Sequence, residues 1–227
     1  MSETKPLKGI NLPSITSYTA EDLFSFLSIK EDMLVLDVRN EEDFSQFNVE
    51  GPFPFQMKNV PYINFMEEED ESVAKISNEK PVKIVCAKEG SAQYVGEILM
   101  RHGFEDVSYL INGIKSWGNL LLPKRINNES DDYALYQFIR PGKASCNYGL
   151  LYKREIVIFD PSRNIEFYQS FANENDAKIV RIFETHLQAD YISGSKQISN
   201  VTGAEILAHA GDFSEASFRF NQVNEGD

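Results

Sequence analysis

Cys86 is the residue in this chain best placed for nucleophilic chemistry. It directly follows the apolar run Val82-Lys83-Ile84-Val85 and precedes Ala87-Lys88-Glu89-Gly90-Ser91-Ala92. The run has the length and composition of a buried strand. A short loop containing Gly90 comes next, and a helix is predicted to start near Ser91. In a parallel α/β sheet, reacting groups collect at the carboxyl ends of strands. A tight loop leading into a helix N-terminus points several backbone N–H groups inward. Those donors, with the positive end of the helix dipole, favour an anion at their centre. A cysteine held there is stabilised as a thiolate or as a persulfide anion. On periodicity alone, a strand-terminal core cysteine is the commoner explanation of such a residue. The second cysteine, Cys146, is expected to serve packing.

A second stretch carries metal-ligand residue types: Thr185-His186-Leu187-Gln188-Ala189-Asp190-Tyr191-Ile192-Ser193-Gly194. His186 and Asp190 are potential ligands. Gln188 is a weak neutral donor and a tyrosine such as Tyr191 holds its proton near neutral pH, so neither substitutes well for imidazole. The chain has three histidines, His102, His186 and His209. His102 ends a helical pattern, where capping or exposure accounts for it, and His209 follows an apolar strand. One imidazole cannot hold iron or zinc tightly by itself. No metal and no other cofactor is expected.

These residues need elements to hold them. Thr19 with Asp22 forms an N-cap pattern ahead of the apolar face Leu23, Phe24, Phe26 and Leu27. Strands are predicted at residues 33–38, 82–86 and 107–111. Helices are predicted over Val95, Ile98, Leu99 and His102, with Gly103 as C-cap, and over 114–121 with Trp117. Alternating strands and helices imply a three-layer α/β domain, a parallel sheet covered on both faces. The polar stretch 123–132 suits a linker. Beyond it, strands are predicted at 136–140, 147–153, 155–159, 178–183 and 204–207, and helices at 165–171 and 195–199.

Three segments in order, Leu36-Asp37-Val38-Arg39, Cys86-Ala87-Lys88-Glu89-Gly90-Ser91-Ala92 and Leu110-Ile111-Asn112-Gly113-Ile114-Lys115-Ser116-Trp117, resemble the signature segments of rhodanese domains. The resemblance implies an N-terminal extension at 1–16, a rhodanese domain at 17–122 and the linker at 123–132. It implies that Cys86 accepts sulfane sulfur, that residues 87–92 bind the anion, and that Asp37 anchors the fold near the loop while Arg39 pairs with an acidic side chain. The loop departs from thiosulfate-type rhodaneses, which often carry arginine or lysine where Glu89 and Ser91 stand here. An acidic residue beside the thiol opposes a dianion. Small thiols, persulfides, polysulfides and protein thiols are therefore the expected partners, rather than thiosulfate.

The stretch around His186, with Ile158-Phe159-Asp160-Pro161 before it and Thr202-Gly203-Ala204 after it, resembles the HxHxDH region of metallo-β-lactamase-like hydrolases. The similarity is greatest to persulfide dioxygenases and rhodanese–hydrolase fusions. It implies a partial metallo-β-lactamase-like segment at 133–227, with His186 and Asp190 as remnants of a ligand set. Further ligands of that family lie past the position of Asp227. Half of such a fold leaves an apolar sheet face to be covered, and a homodimer through this segment is expected.

The formal net charge of −13 repels nucleic-acid phosphates. Glu67, Glu68, Glu69, Asp70 and Glu71 form one acidic run, read as a solvated loop or helix start. No apolar stretch long enough to span a membrane and no export signal is evident, so a reducing, cytoplasmic setting without structural disulfides is expected. The leading expectation is a sulfurtransferase or persulfide carrier. The alternative is a non-catalytic persulfide sensor or binding protein, and a metal-dependent hydrolase or dioxygenase ranks last.

Overall fold

Short, mostly apolar runs become the central strands of the first half of the computed structural model, which describes residues 15–187, 192–216 and 218–227. The order is β1 (Thr16–Tyr18), α1 (Ala20–Ser28), β2 (Leu34–Asp37), α2 (Glu41–Gln46), β3 (Gln56–Asn59), α3 (Tyr62–Glu67), α4 (Glu69–Ala74), β4 (Val82–Val85), α5 (Glu89–Arg101), β5 (Val107–Leu110) and α6 (Gly113–Asn119). The strands pair in the order β1-β5-β4-β2-β3, and every pairing is parallel. Each residue of β2 and β4 is buried. Side chains alternate between faces along a strand, so complete burial means that both faces of the sheet centre are covered.

Val82, Ile84 and Cys86 pack in one hydrophobic cluster with Leu34 and Leu36 of β2, Phe65 of α3, and Val95, Ile98 and Leu99 of α5. The start of α1 follows the predicted capping pattern. The Thr19 hydroxyl accepts from the Asp22 amide at 3.1 Å, and the Asp22 carboxylate accepts from the Thr19 amide at 2.9 Å. Glu69, Asp70 and Glu71 of the acidic run occupy the first turn of α4, where carboxylates favour the helix dipole.

The chain divides into two compact units, Met1–Leu120 and Leu121–Asp227. The second contains β6 (Leu122–Arg125), β7 (Ala134–Arg140), β8 (Ser145–Tyr152), β9 (Glu155–Phe159), α7 (Ile165–Glu174), β10 (Lys178–Glu184), α8 (Ser195–Thr202), β11 (Glu205–Ala208), α9 (Ala210–Phe213) and β12 (Asn221–Gln222). Its sheet runs β12-β11-β10-β9-β8-β7-β6. β6 to β9 form an antiparallel meander, and β9 to β12 are parallel.

One sheet face packs on α7 and α8 through Phe138, Ile156, Ile158, Ile182, Tyr168, Phe171 and Ile198. Phe138 is fully buried and meets the rings of Phe167, Tyr168 and Phe171 edge-on, with centroids 4.9–5.8 Å apart. Gly149 leaves the room for that ring, since a Cβ there would fall 2.6 Å from it. By strand alternation Leu135, Leu150, Val157, Phe159 and Phe183 lie on the opposite face, half-buried.

Two sequence boundaries shift. The stretch read as a linker begins with β6, which pairs antiparallel with β7. Pro123 fits because β6 is an edge strand with one side free of partners. The N-terminal extension reaches into β1, since Thr16 pairs with Ser108; residues 1–14 lie outside the described residues. Among the described residues no helix is long and apolar enough to cross a membrane.

Candidate functional site

Cys86 stands at the carboxyl end of β4, flanked by β2 and β5. The helix that follows begins at Glu89 rather than Ser91, so only Cys86, Ala87 and Lys88 separate strand from helix. A carboxylate at the first helical position is favoured by the dipole, which lets the helix start early. Lys88 is the N-cap, with extended backbone, and its side chain makes no capping hydrogen bond. Helix geometry leaves the amides of Glu89, Gly90 and Ser91 without partners inside the helix.

Of the expected loop residues, Ala87, Lys88 and Gly90 are exposed, while Glu89 and Ser91 are half-buried. Ala92 differs from its neighbours in the loop. It is buried in the core cluster beside Val95, so its side chain is packing rather than loop surface. Cys86 itself is only 5% exposed, and its side chain belongs to the same cluster.

A second turn grips this loop from the β5–α6 side. Asn112, the N-cap of α6, has φ 57°, and Gly113 follows with φ +60°. The Ile114 amide donates to the Cys86 carbonyl oxygen at 2.8 Å. The Asn112 amide donates to the Glu89 carboxylate at 2.7 Å. Ser116 Oγ bridges within the turn, to the carbonyls of Ile111 and Gly113 at 2.8 and 2.7 Å. The sequence places Asn112, Gly113 and Ile114 in a rhodanese-like segment but does not announce their contact with the Cys86 loop. The Asn-Gly dipeptide was the available signal, because both residue types tolerate left-handed backbone.

Asp37 and Arg39 are both buried and pair with each other. Arg39 Nε lies 3.0 Å from Asp37 Oδ1 and Nη2 lies 2.6 Å from Oδ2, a two-pronged contact. Arg39 Nη2 also donates to the Phe47 carbonyl at 2.6 Å. Asn59 Nδ2 donates to the carbonyls of both Asp37 and Arg39 at 2.9 Å. The guanidinium is thus engaged in tying the end of β2 to the segment after α2. Tyr18, also buried, donates to the Ile84 carbonyl at 3.1 Å. Burial, reinforced by the nearby Asp37 charge, pushes its phenol pKa well above the ordinary value.

The second unit gathers polar groups where β9 and β10 end. Thr185 donates to Asp160 through its amide, at 2.8 Å, and through its hydroxyl, at 2.7 Å. Thr185 Oγ1 lies 2.9 Å from His186 Nδ1. The buried Glu184 carboxylate accepts from the hydroxyls of Ser193 and Ser195. Burial raises its pKa, and the two serine hydrogen bonds oppose that shift only in part. Gln188, Asp190 and Tyr191 lie outside the described residues. Among the described residues no group of three His, Cys, Asp or Glu side chains is arranged to hold a metal ion. A donor set with His186 as its one imidazole does not fit the metal centre of a metallo-β-lactamase-like hydrolase.

The other histidines do local work. His102 caps the end of α5 and contacts Glu69 at 2.9 Å, and that hydrogen bond is the main cause of a lowered Glu69 pKa. His209 caps α9, with Nδ1 accepting from the Gly211 amide at 3.1 Å. Cys146 is a correction. It is exposed, because strand alternation turns its neighbour Asn147 toward the core and Cys146 away from it.

A central parallel strand followed by a cysteine, a helix start without a side-chain cap and a clasping turn define the first unit as an α/β domain. Residues 20–120 match the family model of the Rhodanese-like domain, and the chain carries such a domain. The thiosulfate sulfurtransferase GlpE of Coxiella burnetii is 28% identical over 88 residues, which cover 39% of this chain and 74% of that protein. A metallo-beta-lactamase from Staphylococcus aureus subsp. aureus COL matches with TM-score 0.40 and 22% identity, over 43% of this chain and 30% of that one. ETHE1 from Myxococcus xanthus matches with TM-score 0.32 and 20% identity, over 47% and 42%. The chain thus spans less than half the length of these two solved proteins.

Proposed function

We propose that this protein transfers sulfane sulfur through a persulfide on Cys86. The observation that carries the reading is the position of Cys86, at the mouth of β4 and just ahead of a helix start whose N-cap side chain makes no capping hydrogen bond. In the first step the Cys86 thiolate attacks the outer sulfur of a donor persulfide, RS–SH. The donor S–S bond breaks, RS⁻ leaves with its electron pair, and Cys86–S–SH forms. An acceptor thiolate then attacks the outer sulfur, takes it with its proton, and the Cys86 thiolate departs. No external oxidant or reductant enters. Loss of the outer proton gives a persulfide anion suited to the amides of Glu89, Gly90 and Ser91.

Lys88 is the only cation in the loop, and Arg39 is already committed to Asp37. That supports a persulfide or polysulfide donor over dianionic thiosulfate. The second unit is read as a degenerate metallo-β-lactamase-like segment that contributes no metal chemistry. Mass spectrometry after polysulfide treatment tests the assignment. Wild type gains one sulfur at Cys86, and Cys86→Ser gains none while transfer to glutathione disappears. Wild-type transfer by Cys86→Ser would end the reading. The deep burial of the thiol favours a second one, a persulfide sensor, which predicts loading at Cys86 without turnover.

A further inference from the structure

We infer that Glu89 is a positioning residue for the sulfur-carrying thiol, acting through the β5–α6 turn; this rests on Cys86 being the carrier. Glu89 opens α5, three residues after Cys86. A carboxylate there could simply face solvent over its own helix dipole. Instead its Oε1 accepts from the Asn112 amide, 23 residues away in sequence. Asn112 adopts left-handed backbone, which asparagine tolerates. The next two residues of that turn touch the Cys86 backbone directly. Ile114 donates to the Cys86 carbonyl, and Gly113 packs against the carbonyls of Cys86 and Ala87.

Loop and turn therefore close on each other at two points, Cys86 itself and Glu89, with Ala87 and Lys88 between them. Ile114 holds the strand side, and Glu89 holds the helix side. Losing the second point frees the start of α5 to move relative to Cys86. The amides of that first turn serve a persulfide only when they are aimed at it. Charge is a separate property of the same side chain. Glutamine keeps an oxygen acceptor for the Asn112 amide and discards the charge, whereas alanine discards both.

The experiment compares wild type, Glu89→Gln and Glu89→Ala in three measurements: amide exchange, Cys86 loading by polysulfide, and Cys86 loading by thiosulfate. Amide hydrogen exchange at Asn112 and Ile114 reports the clasp itself, independently of any sulfur chemistry. Exchange is expected to rise about fivefold in Glu89→Ala, the worth of one exposed hydrogen bond, and about twofold in Glu89→Gln. The rate of Cys86 loading by inorganic polysulfide, read by mass, is expected to fall in the same order, with kcat rather than KM carrying the loss. Unchanged exchange in Glu89→Ala overturns the clasp. Raised exchange with unchanged loading overturns the positioning role. If both variants load thiosulfate faster than wild type, Glu89 acts by charge and the positioning role is again overturned. A wild type that takes up no sulfur ends the carrier reading and the positioning role with it, while the exchange data still decide whether the clasp exists.

Discussion

Gly113 lies so close to Cys86 that a Cβ at its position would stand 2.4 Å from the Cys86 carbonyl oxygen. It would also stand 2.8 Å from the Ala87 carbonyl oxygen, and the residue adopts φ +60°. Gly113→Ala therefore combines an unfavourable backbone conformation with a main-chain clash. The expected cost is about 1–3 kcal/mol in denaturant unfolding. Sulfur loading should fall as well, because the displaced atoms belong to the Cys86 loop. A variant with unaltered stability and loading would show that the turn can retreat from the loop without consequence.

The Asp37–Arg39 pair predicts an asymmetry. Its side chains are 0% and 5% exposed, so removing one charge strands the other away from water. Arg39→Met should destabilise by about 3–5 kcal/mol. Asp37→Asn combined with Arg39→Met should recover part of that loss, since no unpaired charge is then buried. A chemical-denaturation midpoint for Arg39→Met equal to wild type would mean that the buried pair contributes nothing to holding the end of β2.

Alkaline titration examines the second unit. Burial lifts the Tyr168 pKa from its ordinary value of 10.0 to about 12, more than its hydrogen bonds with Ser162 offset. Its folded value exceeds its unfolded value, so the proton is held more tightly in the native state. The associated stability is complete below pH 10 and disappears as pH climbs toward about 12. Tyr168→Phe should flatten that decline while lowering stability at neutral pH, because the buried Ser162 amide loses its 2.9 Å partner. Equal slopes in the two proteins between those pH values would refute the link.

Metal content gives a fourth prediction. With no group of three His, Cys, Asp or Glu side chains arranged for a metal among the described residues, the purified protein should release iron and zinc on dialysis. Stoichiometric retention, lost in His186→Ala, would require ligands beyond the residues described above.

The central strands of the first unit could be read directly from sequence, because buried parallel strands are short, mostly apolar runs, whereas the polar edge strands β1 and β3 carry no such signal. Val82–Val85 and Leu34–Asp37 carry that signature. The Thr19–Asp22 cap was equally plain, since both partners lie within one helical turn. The site was legible only in part. Cys86 and the Asp37–Arg39 pair sit in compact local patterns. The contact of Glu89 with Asn112 joins segments 23 residues apart, and nothing local in either announces it. β6 was hidden for another reason. Pro123 and two basic residues look like loop until the edge position of the strand is known. The exposure of Cys146 depended on strand register, which shifts by a whole face when a boundary moves by one residue.

The strand order of the first sheet also constrains how the molecule is made. β5 is synthesised last in that sheet, yet it inserts between β1, the earliest, and β4. Until residues 107–110 leave the ribosome, the strand that ends at the thiol has one bare edge. A nascent chain paused short of that point offers an open template for pairing with its neighbours. Slower translation through this stretch should lengthen the time for which that edge stands open.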